Sequence, residues 1–288
     1  MVQAAMTQAE YWNGEVGQRW ARSQAVLDAV FAPLTEALFS GAALPPGAAI
    51  LDVGCGAGAT ALIAARAAGA GGRVLAADLS APLLSVARGR PVRAGDAPVA
   101  WIEADAETHA FGADAFDHAI SRFGVMFFSD SHAAFANIRR ALKPGGRLTF
   151  LCWRAMADNP WVTVPRAAVL PLVPDASPPD PDGPGPFRFA DPEGLARLLE
   201  AAGFDAVACE PVARDLVLGR AQDGAARTAA EAAAAVVVGL GPVSRLLRDR
   251  EPPVRQAALE AVTEALVPHA RDGAVRLGAG CWLVSAAG

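Results

Sequence analysis

Leu51-Asp52-Val53-Gly54-Cys55-Gly56-Ala57-Gly58 ends a short apolar run, Ala48–Val53, in closely spaced glycines, and the alanine-rich segment Thr60–Ala70 follows at once. An apolar run that stops at glycines reads as a buried strand, and the alanine-rich segment as a helix. A strand-to-helix turn of this kind needs glycine where the backbone reverses sharply and where a ligand must approach the main chain with no Cβ in the way. The helix behind it supplies free N–H groups and a partial positive charge.

Outward from this turn the alternation repeats. Val74–Ala77 reads as a second strand ending at Asp78, Pro82–Arg88 as a helix, Val99–Glu103 as a third strand and Phe116–Ser121 as a fourth. Ala133–Leu142 reads as a helix stopped by Pro144-Gly145-Gly146, and Arg147–Trp153 as a fifth strand. Asp191–Ala202 has the marks of a helix: Asp191 as N-cap, Pro192 in the first turn and Gly203 past the end. Val207–Val212 and Cys281–Ser285 complete the strands. This spacing predicts an α/β fold, a doubly wound, mostly parallel, seven-stranded sheet with helices on both faces.

Four regions follow. Residues 1–45 form an N-terminal helical cap, in which Trp20, Val26, Leu27, Val30, Phe31, Leu34 and Leu38 recur at helical steps until Pro45-Pro46-Gly47. Residues 46–215 form the core, with a proline-rich flap over 165–190 that is either ordered or mobile. Residues 216–275 form a helical lid, with an Ala/Val-rich helix, then Leu246–Arg250 and Val254–Val267, and residues 276–288 return as the closing strand of the core.

Composition removes several classes of function. With 288 residues, 53% of them hydrophobic and 19% charged, a large core is expected and general disorder is not. A net charge of -5 argues against an obligatory nucleic-acid partner, and the basic cluster Arg88, Arg90, Arg93 is short. Cys55, Cys152, Cys209 and Cys281 are widely separated, which is neither a disulfide scaffold nor a zinc site. The N-terminus lacks the basic-then-apolar form of a signal peptide. The apolar run Ala232–Val243 is too short to span a bilayer, which takes about 20 residues. A soluble, cytoplasmic protein is expected, with a small-molecule substrate, no membrane or nucleic-acid partner and no metal.

Gly54-x-Gly56-x-x-Ala59 also satisfies the dinucleotide pattern G-x-G-x-x-G/A, and Asp78, at the end of the second strand, is placed to accept from both ribose hydroxyls. These residues alone say adenosine-type cofactor. Three further features separate the possibilities. Asp52 would repel a pyrophosphate but attract a cationic amino-acid moiety. Asp105-Ala106 follows the third strand, where an acid can accept from an adenine amino group. Tyr-x-x-x-Lys chemistry is impossible, because Tyr11 and Lys143 are the only residues of their kinds and lie far apart.

With these residues in hand, the sequence resembles the class I S-adenosylmethionine (SAM) dependent methyltransferases, and within them the small-molecule enzymes of the ubiquinone/menaquinone-biosynthesis type. Leu51–Gly58 resembles their first motif, Asp78-Leu79-Ser80-Ala81-Pro82-Leu83-Leu84 the second, and Asp105-Ala106 the adenine-contacting acid and its neighbour. Phe116-Asp117 and Leu142-Lys143-Pro144-Gly145-Gly146-Arg147-Leu148 complete the order. The resemblance covers roughly residues 10–215 and the closing strand near Trp282. It implies a Rossmann-like core that binds SAM and releases S-adenosylhomocysteine. Gly54 and Gly56, with Gly58 in the same loop, would hold the methionine part, and Asp52 would organise the loop near its ammonium group. Asp78 would take the ribose, with Leu79 packed on the adenine. Asp105 would take the adenine amino group beside Ala106. Ser121, Arg122 and Phe123 would face the methionine part and the reacting methyl, and Tyr11-Trp12-Asn13-Gly14 with Trp20 would close over the cofactor.

Two residues are candidates for a part in catalysis: His132, at the start of the helix after the fourth strand, as general base, and Arg122 as an orienting group. The expected reaction is in-line displacement of the sulfonium methyl onto a small apolar or aromatic metabolite, with oxygen favoured over carbon as the acceptor. A NAD(P)-dependent oxidoreductase and a non-catalytic SAM-binding module are the alternatives.

Overall fold

The computed structural model describes residues 6–176 and 183–288, so the central part of the expected flap, 177–182, lies outside the described residues. The N-terminal cap consists of four short helices, α1 (Gln8–Asn13), α2 (Glu15–Arg22), α3 (Gln24–Val30) and α4 (Ala32–Ala42). Gly14, Ser23 and Phe31 sit at the joints with non-helical backbone, which turns each short segment to a new face of the core. Val26, expected on the apolar side, is consequently exposed. A capping box at Thr7 and Glu10 starts α1.

The chain then alternates through β1 (Ala49–Val53), α5 (Ala59–Ala68), β2 (Arg73–Asp78), α6 (Ala81–Arg88), β3 (Val99–Glu103), β4 (Phe116–Arg122), α7 (Ser131–Ala141) and β5 (Leu142–Trp153). Every residue of β1 is buried, as a central parallel strand covered on both faces requires. The buried face of α5 is alanine (Ala61, Ala64, Ala65, Ala68), which lets the helix lie close on the sheet. β5 begins at Leu142 instead of Arg147, because Lys143-Pro144-Gly145-Gly146 is drawn into the strand.

After β5 comes α8 (Pro160–Val169), a helix where only a loop and the start of the flap were expected; Asn159 precedes it and Pro160 is in its first turn. Then follow α9 (Pro192–Ala201), capped by Asp191 as expected, and β6 (Asp205–Arg220). The lid is α10 (Ala226–Gly239), α11 (Pro242–Leu246) and α12 (Pro252–Leu266); the helix expected at Leu246–Arg250 lies instead at Pro242–Leu246. The two-residue β7 (Ala270–Arg271) and β8 (Ala274–Ala287) end the chain.

The strand order is β3-β2-β1-β4-β5-β8-β6, with β7 attached to β8. β1 through β5 pair in parallel, and β8 runs antiparallel between β5 and β6. β6 and β8 are each far longer than Val207–Val212 and Cys281–Ser285, because beyond the sheet they pair with one another from Arg214↔Ala279 to Arg220↔Ala274. A core boundary at residue 215 therefore cuts through β6. This projecting ribbon carries the lid: at Gly219 an added Cβ would lie 2.4 Å from the Ala233 nitrogen, so α10 rests directly on the strand. Buried side chains divide into a large cluster that reaches under the lid and a smaller one under α5. Among the described residues no single helix is long and apolar enough to cross a membrane.

Candidate active site

The order of strands reverses at β1, whose neighbours are β2 and β4, and a cavity opens at the carboxyl ends of these strands, where open α/β sheets bind ligands. It encloses about 1770 Å³, counting its open mouth.

One end of the cavity is the glycine loop. Gly54, Gly56 and Gly58 have φ of 68°, 53° and 86°, in the left-handed region that costs other residues strain. A Cβ on Gly54 would lie 2.7 Å from the Gly124 Cα, so the loops after β1 and β4 touch backbone to backbone. At Gly56 no atom lies within 4 Å of that position, which leaves the main chain open to a ligand. Asp78 holds the loop: its Oδ2 accepts from the Gly56 N–H at 2.7 Å and its Oδ1 from the Ser80 N–H at 2.8 Å. Burial raises its pKa above the ordinary carboxylate range, opposed by the N–H groups of Ser80, Gly56 and Leu79. Asp105 Oδ1 accepts from the Glu107 N–H at 2.9 Å, and Leu79, Asp105 and Ala106 all line the cavity.

The N-terminal cap is fastened to this end. Asn13 Nδ2 donates to the Leu79 carbonyl at 2.9 Å, Asn13 Oδ1 accepts from the Ala81 N–H at 2.9 Å, and Ser80 Oγ donates to the Trp12 carbonyl at 2.7 Å. Trp12 packs edge-on against Trp20 and Phe127, with centroids 5.5 and 5.2 Å away, and both tryptophans line the cavity.

The far end is aromatic. Phe123, a bulky residue at φ 66°, stacks on Trp153 with centroids 4.1 Å apart and planes 7° apart. Such strain persists where surrounding structure holds it, commonly at ligand sites. Trp161 lies 4.9 Å from Trp153, and its Nε1 donates to Asn159 Oδ1 at 3.1 Å. Fully buried Asn159 also accepts from the Gly280 N–H at 3.0 Å, so it ties α8, and the indole on it, to β8. Val236, Val237 and Leu240 of the lid close this end.

Of the residues expected from the sequence, Trp12, Trp20, Gly54, Gly56, Asp78, Leu79, Asp105, Ala106, Arg122 and Phe123 line this one cavity, and Asp52, Gly58, Ser121 and His132 do not. Asp52 lies buried beneath the loop: Thr60 Oγ1 donates to its Oδ2 at 2.6 Å, while Oδ1 has no partner among the described residues. Burial pushes its pKa up to about 7, against the Thr60 hydrogen bond. Gly58 caps α5 with its Cα facing Trp101, where a Cβ would lie 2.7 Å from the ring. Ser121 is buried, and its Oγ accepts from the Gly124 N–H at 3.2 Å, which shapes the turn that presents Phe123. His132 is the largest correction. It stands in the first turn of α7, with Nε2 3.1 Å from the Ala201 carbonyl, on the side that packs toward α9 and away from the cavity. Gln24, Asp28, Phe31, Trp153, Trp161 and Arg245 line the cavity without having been singled out for a ligand role. Only Trp153, at the carboxyl end of a strand, had a positional signal.

Residues 51–150, which contain the glycine loop, Asp78, Asp105 and Phe123, match the family described as a methyltransferase domain. These residues form a class I, SAM-dependent methyltransferase domain. The chain is 36% identical over 136 residues to an uncharacterised protein of Mycobacterium tuberculosis, a match that covers 46% of this chain and 48% of that one. It therefore spans about half the length of that relative. It is 30% identical over 167 residues to the ubiquinone/menaquinone biosynthesis C-methyltransferase UbiE of Pectobacterium carotovorum, covering 55% of this chain and 66% of that one. Beyond the methyltransferase domain the likeness is one of fold. The phosphoethanolamine N-methyltransferase 2 of Haemonchus contortus, solved with SAM, superposes with a TM-score of 0.55 at 16% identity, covering 97% of this chain and 60% of that one.

Proposed function

We propose that this chain transfers the methyl group of SAM to a small apolar or aromatic metabolite by in-line displacement, with an oxygen atom as acceptor. The observation that carries the reading is the single cavity that joins the glycine loop, Asp78 and Asp105 to the chamber around Phe123, Trp153 and Trp161. The residues at the loop end fit the cofactor: an open main chain at Gly56, an aspartate at the end of β2 and a second after β3. In this reading the main chain of Gly54 and Gly56 lies along the methionine part, Asp78 takes the ribose hydroxyls, Leu79 packs on the adenine and Asp105, beside Ala106, accepts from its amino group. Trp12 and Trp20 cover the bound molecule, and an aromatic face beside a cation contributes roughly 0.5–2 kcal/mol. Asp52, Gly58 and Ser121 act from behind, by holding the shapes of the two loops.

SAM supplies a methyl group already activated by its sulfonium. The chain then has to align the acceptor and exclude water, and alignment alone can remove several kcal/mol of barrier. Glu107 is occupied by the Ser129 and Asp130 N–H groups, and Asp28 by Arg90 at 2.9 Å. With His132 outside the cavity, the reading favours an acceptor that ionises by itself, such as a phenol or an enol. Carbon is the rival acceptor atom, supported by the 30% identity to a C-methyltransferase.

A melting comparison with SAM, S-adenosylhomocysteine, NAD and NADP tests the cofactor. A ligand at 100 times its dissociation constant stabilises by about 2.7 kcal/mol. A shift with SAM and its product alone supports the proposal, and a shift only with a nicotinamide cofactor removes it. Single-turnover transfer from methyl-labelled SAM into a cell extract, read by carbon NMR, then separates an O-methyl from a C-methyl product, and no transfer would leave a binding module.

A further inference from the structure

The aromatic chamber has a cationic corner. Arg122 leaves the end of β4, and its Nη1 donates to Thr35 Oγ1 on α4 at 2.5 Å. Its guanidinium carbon lies 5.7 Å from the centroid of Phe31. Phe31 is also the ring the chamber shares: its centroid is 5.6 Å from Phe123, 6.1 Å from Trp153 and 6.4 Å from Trp161. The cation and the flat apolar surface therefore meet on one side chain.

Among the described residues no carboxylate lies within ion-pair distance of Arg122, and Thr35 is its one side-chain hydrogen-bond partner. Asp28, which faces it from α3, is held by Arg90 and by the Gln24 amide. Burial lowers the Arg122 pKa, with Asp28 and Asp52 opposing. Removing a guanidinium from water costs several kcal/mol unless an anion is supplied. Thr35 and Phe31 fix the direction of this fork, and Arg122 lines both the cavity and, with Thr35, the neighbouring groove between α3, α4 and α5. A planar guanidinium matches a carboxylate in two parallel hydrogen bonds.

We propose that the acceptor chamber binds a planar aromatic acid, its carboxylate on Arg122 and its rings against the wall that Phe31, Phe123, Trp153 and Trp161 form. The methyltransferase reading above enters only in naming this ligand the acceptor. The corner itself is an anion site against an aromatic wall whatever the chemistry, and aromatic rings pair with such walls edge-on or offset.

The test uses 2-naphthoate and its neutral counterpart 2-naphthalenemethanol, titrated into the whole protein saturated with S-adenosylhomocysteine and followed by quenching of tryptophan fluorescence. The acid should bind about tenfold to a hundredfold more tightly than the alcohol. Arg122→Gln should bring the acid down to the level of the alcohol while the alcohol is unchanged, and the melting shift of that variant with S-adenosylhomocysteine shows whether it folds. If it does not fold, the comparison in the native protein still decides. Equal affinity for acid and alcohol, or binding of neither, overturns the proposal. So does an Arg122→Gln variant that loses S-adenosylhomocysteine and keeps naphthoate, since Arg122 would then serve the cofactor. A native protein with no melting shift removes the methyltransferase reading instead, and the same titration without S-adenosylhomocysteine judges the corner alone.

Discussion

Two buried acids, Asp78 and Asp52, separate holding a ligand from holding a loop. Asp78 accepts from Gly56 and Ser80, which holds the loop, and it also lines the cavity, where the proposed ribose contact lies. Asp78→Ala should weaken SAM binding by roughly 1.5–3 kcal/mol, the worth of charge-assisted hydrogen bonds; calorimetric affinity that matches the native protein would place the ribose elsewhere. Asp52 acts on stability. Its folded pKa of about 7 lies above the ordinary 3.8, with burial as the main cause. Between these values the folded state keeps a proton that the unfolded chain releases, so the contribution is full below the unfolded value and is lost as pH rises toward the folded one. Relative to Asp52→Asn, the native protein should therefore lose on the order of 2–4 kcal/mol of unfolding free energy as pH rises from about 4 to about 7. Parallel denaturation profiles for the two proteins across that range would contradict the placement.

At the scale of elements, contact distance explains composition. α10 is rich in alanine because it lies on β6 at Gly219, with Ala229, Ala230, Ala233 and Ala234 all buried. Gly219→Val would drive a side chain into the backbone of α10. It should destabilise the protein by roughly 1–3 kcal/mol or more, the cost of overpacking, and chemical denaturation measures it. The N-terminal helices depend on fewer bonds. Asn13→Ala removes both ties to the β2–α6 turn, at roughly 0.5–1.5 kcal/mol each. Faster amide exchange confined to α1 and α2 is the expected sign, and unchanged exchange would mean that the Ser80 hydrogen bond to Trp12 and the packing of the tryptophans hold the cap without Asn13.

For the molecule as a whole, the cavity is closed by segments from opposite ends of the chain. Arg245 Nε on α11 donates to Tyr11 Oη on α1 at 3.1 Å, Arg245 and Arg248 lie 5.2 and 5.0 Å from the Tyr11 ring centroid, and Arg19 Nη1 on α2 donates to the Gly239 carbonyl at 3.2 Å. Each contact is at least partly exposed and worth about 1 kcal/mol or less, enough to alter opening but not folding. Arg245→Ala should speed dissociation of S-adenosylhomocysteine about two- to tenfold in stopped-flow displacement while the melting temperature of the free protein stays close to native. A large drop in that temperature would make Arg245 a structural residue instead.

The loop end of the cavity was readable from residue order because each piece is local. Gly54, Gly56, Asp78 and Asp105 sit where strands end, and glycine spacing, apolar runs and N-caps are short-range signals tied to backbone geometry. The same signals predicted the parallel strands of the sheet and the Asp191 cap of α9. They failed where the governing partner is distant. β6 extends to Arg220 because β8 pairs with it, and α8 is seated by Asn159 on Gly280, 121 positions along the chain. His132 has the right sequence position after β4, but the packing of α7 toward α9 turns it from the cavity. The aromatic chamber is the extreme case. Phe31, Phe123, Trp153 and Trp161 look like ordinary core residues one at a time, and only the folded chain packs them into one wall of the cavity with Arg122 beside it. Sequence alone therefore determined the sheet and the place of the glycine loop with its two aspartates, since these follow from neighbouring residues. Tertiary structure decided the aromatic end of the cavity and the place of Arg122 beside it, since packing brings together residues that no local pattern relates.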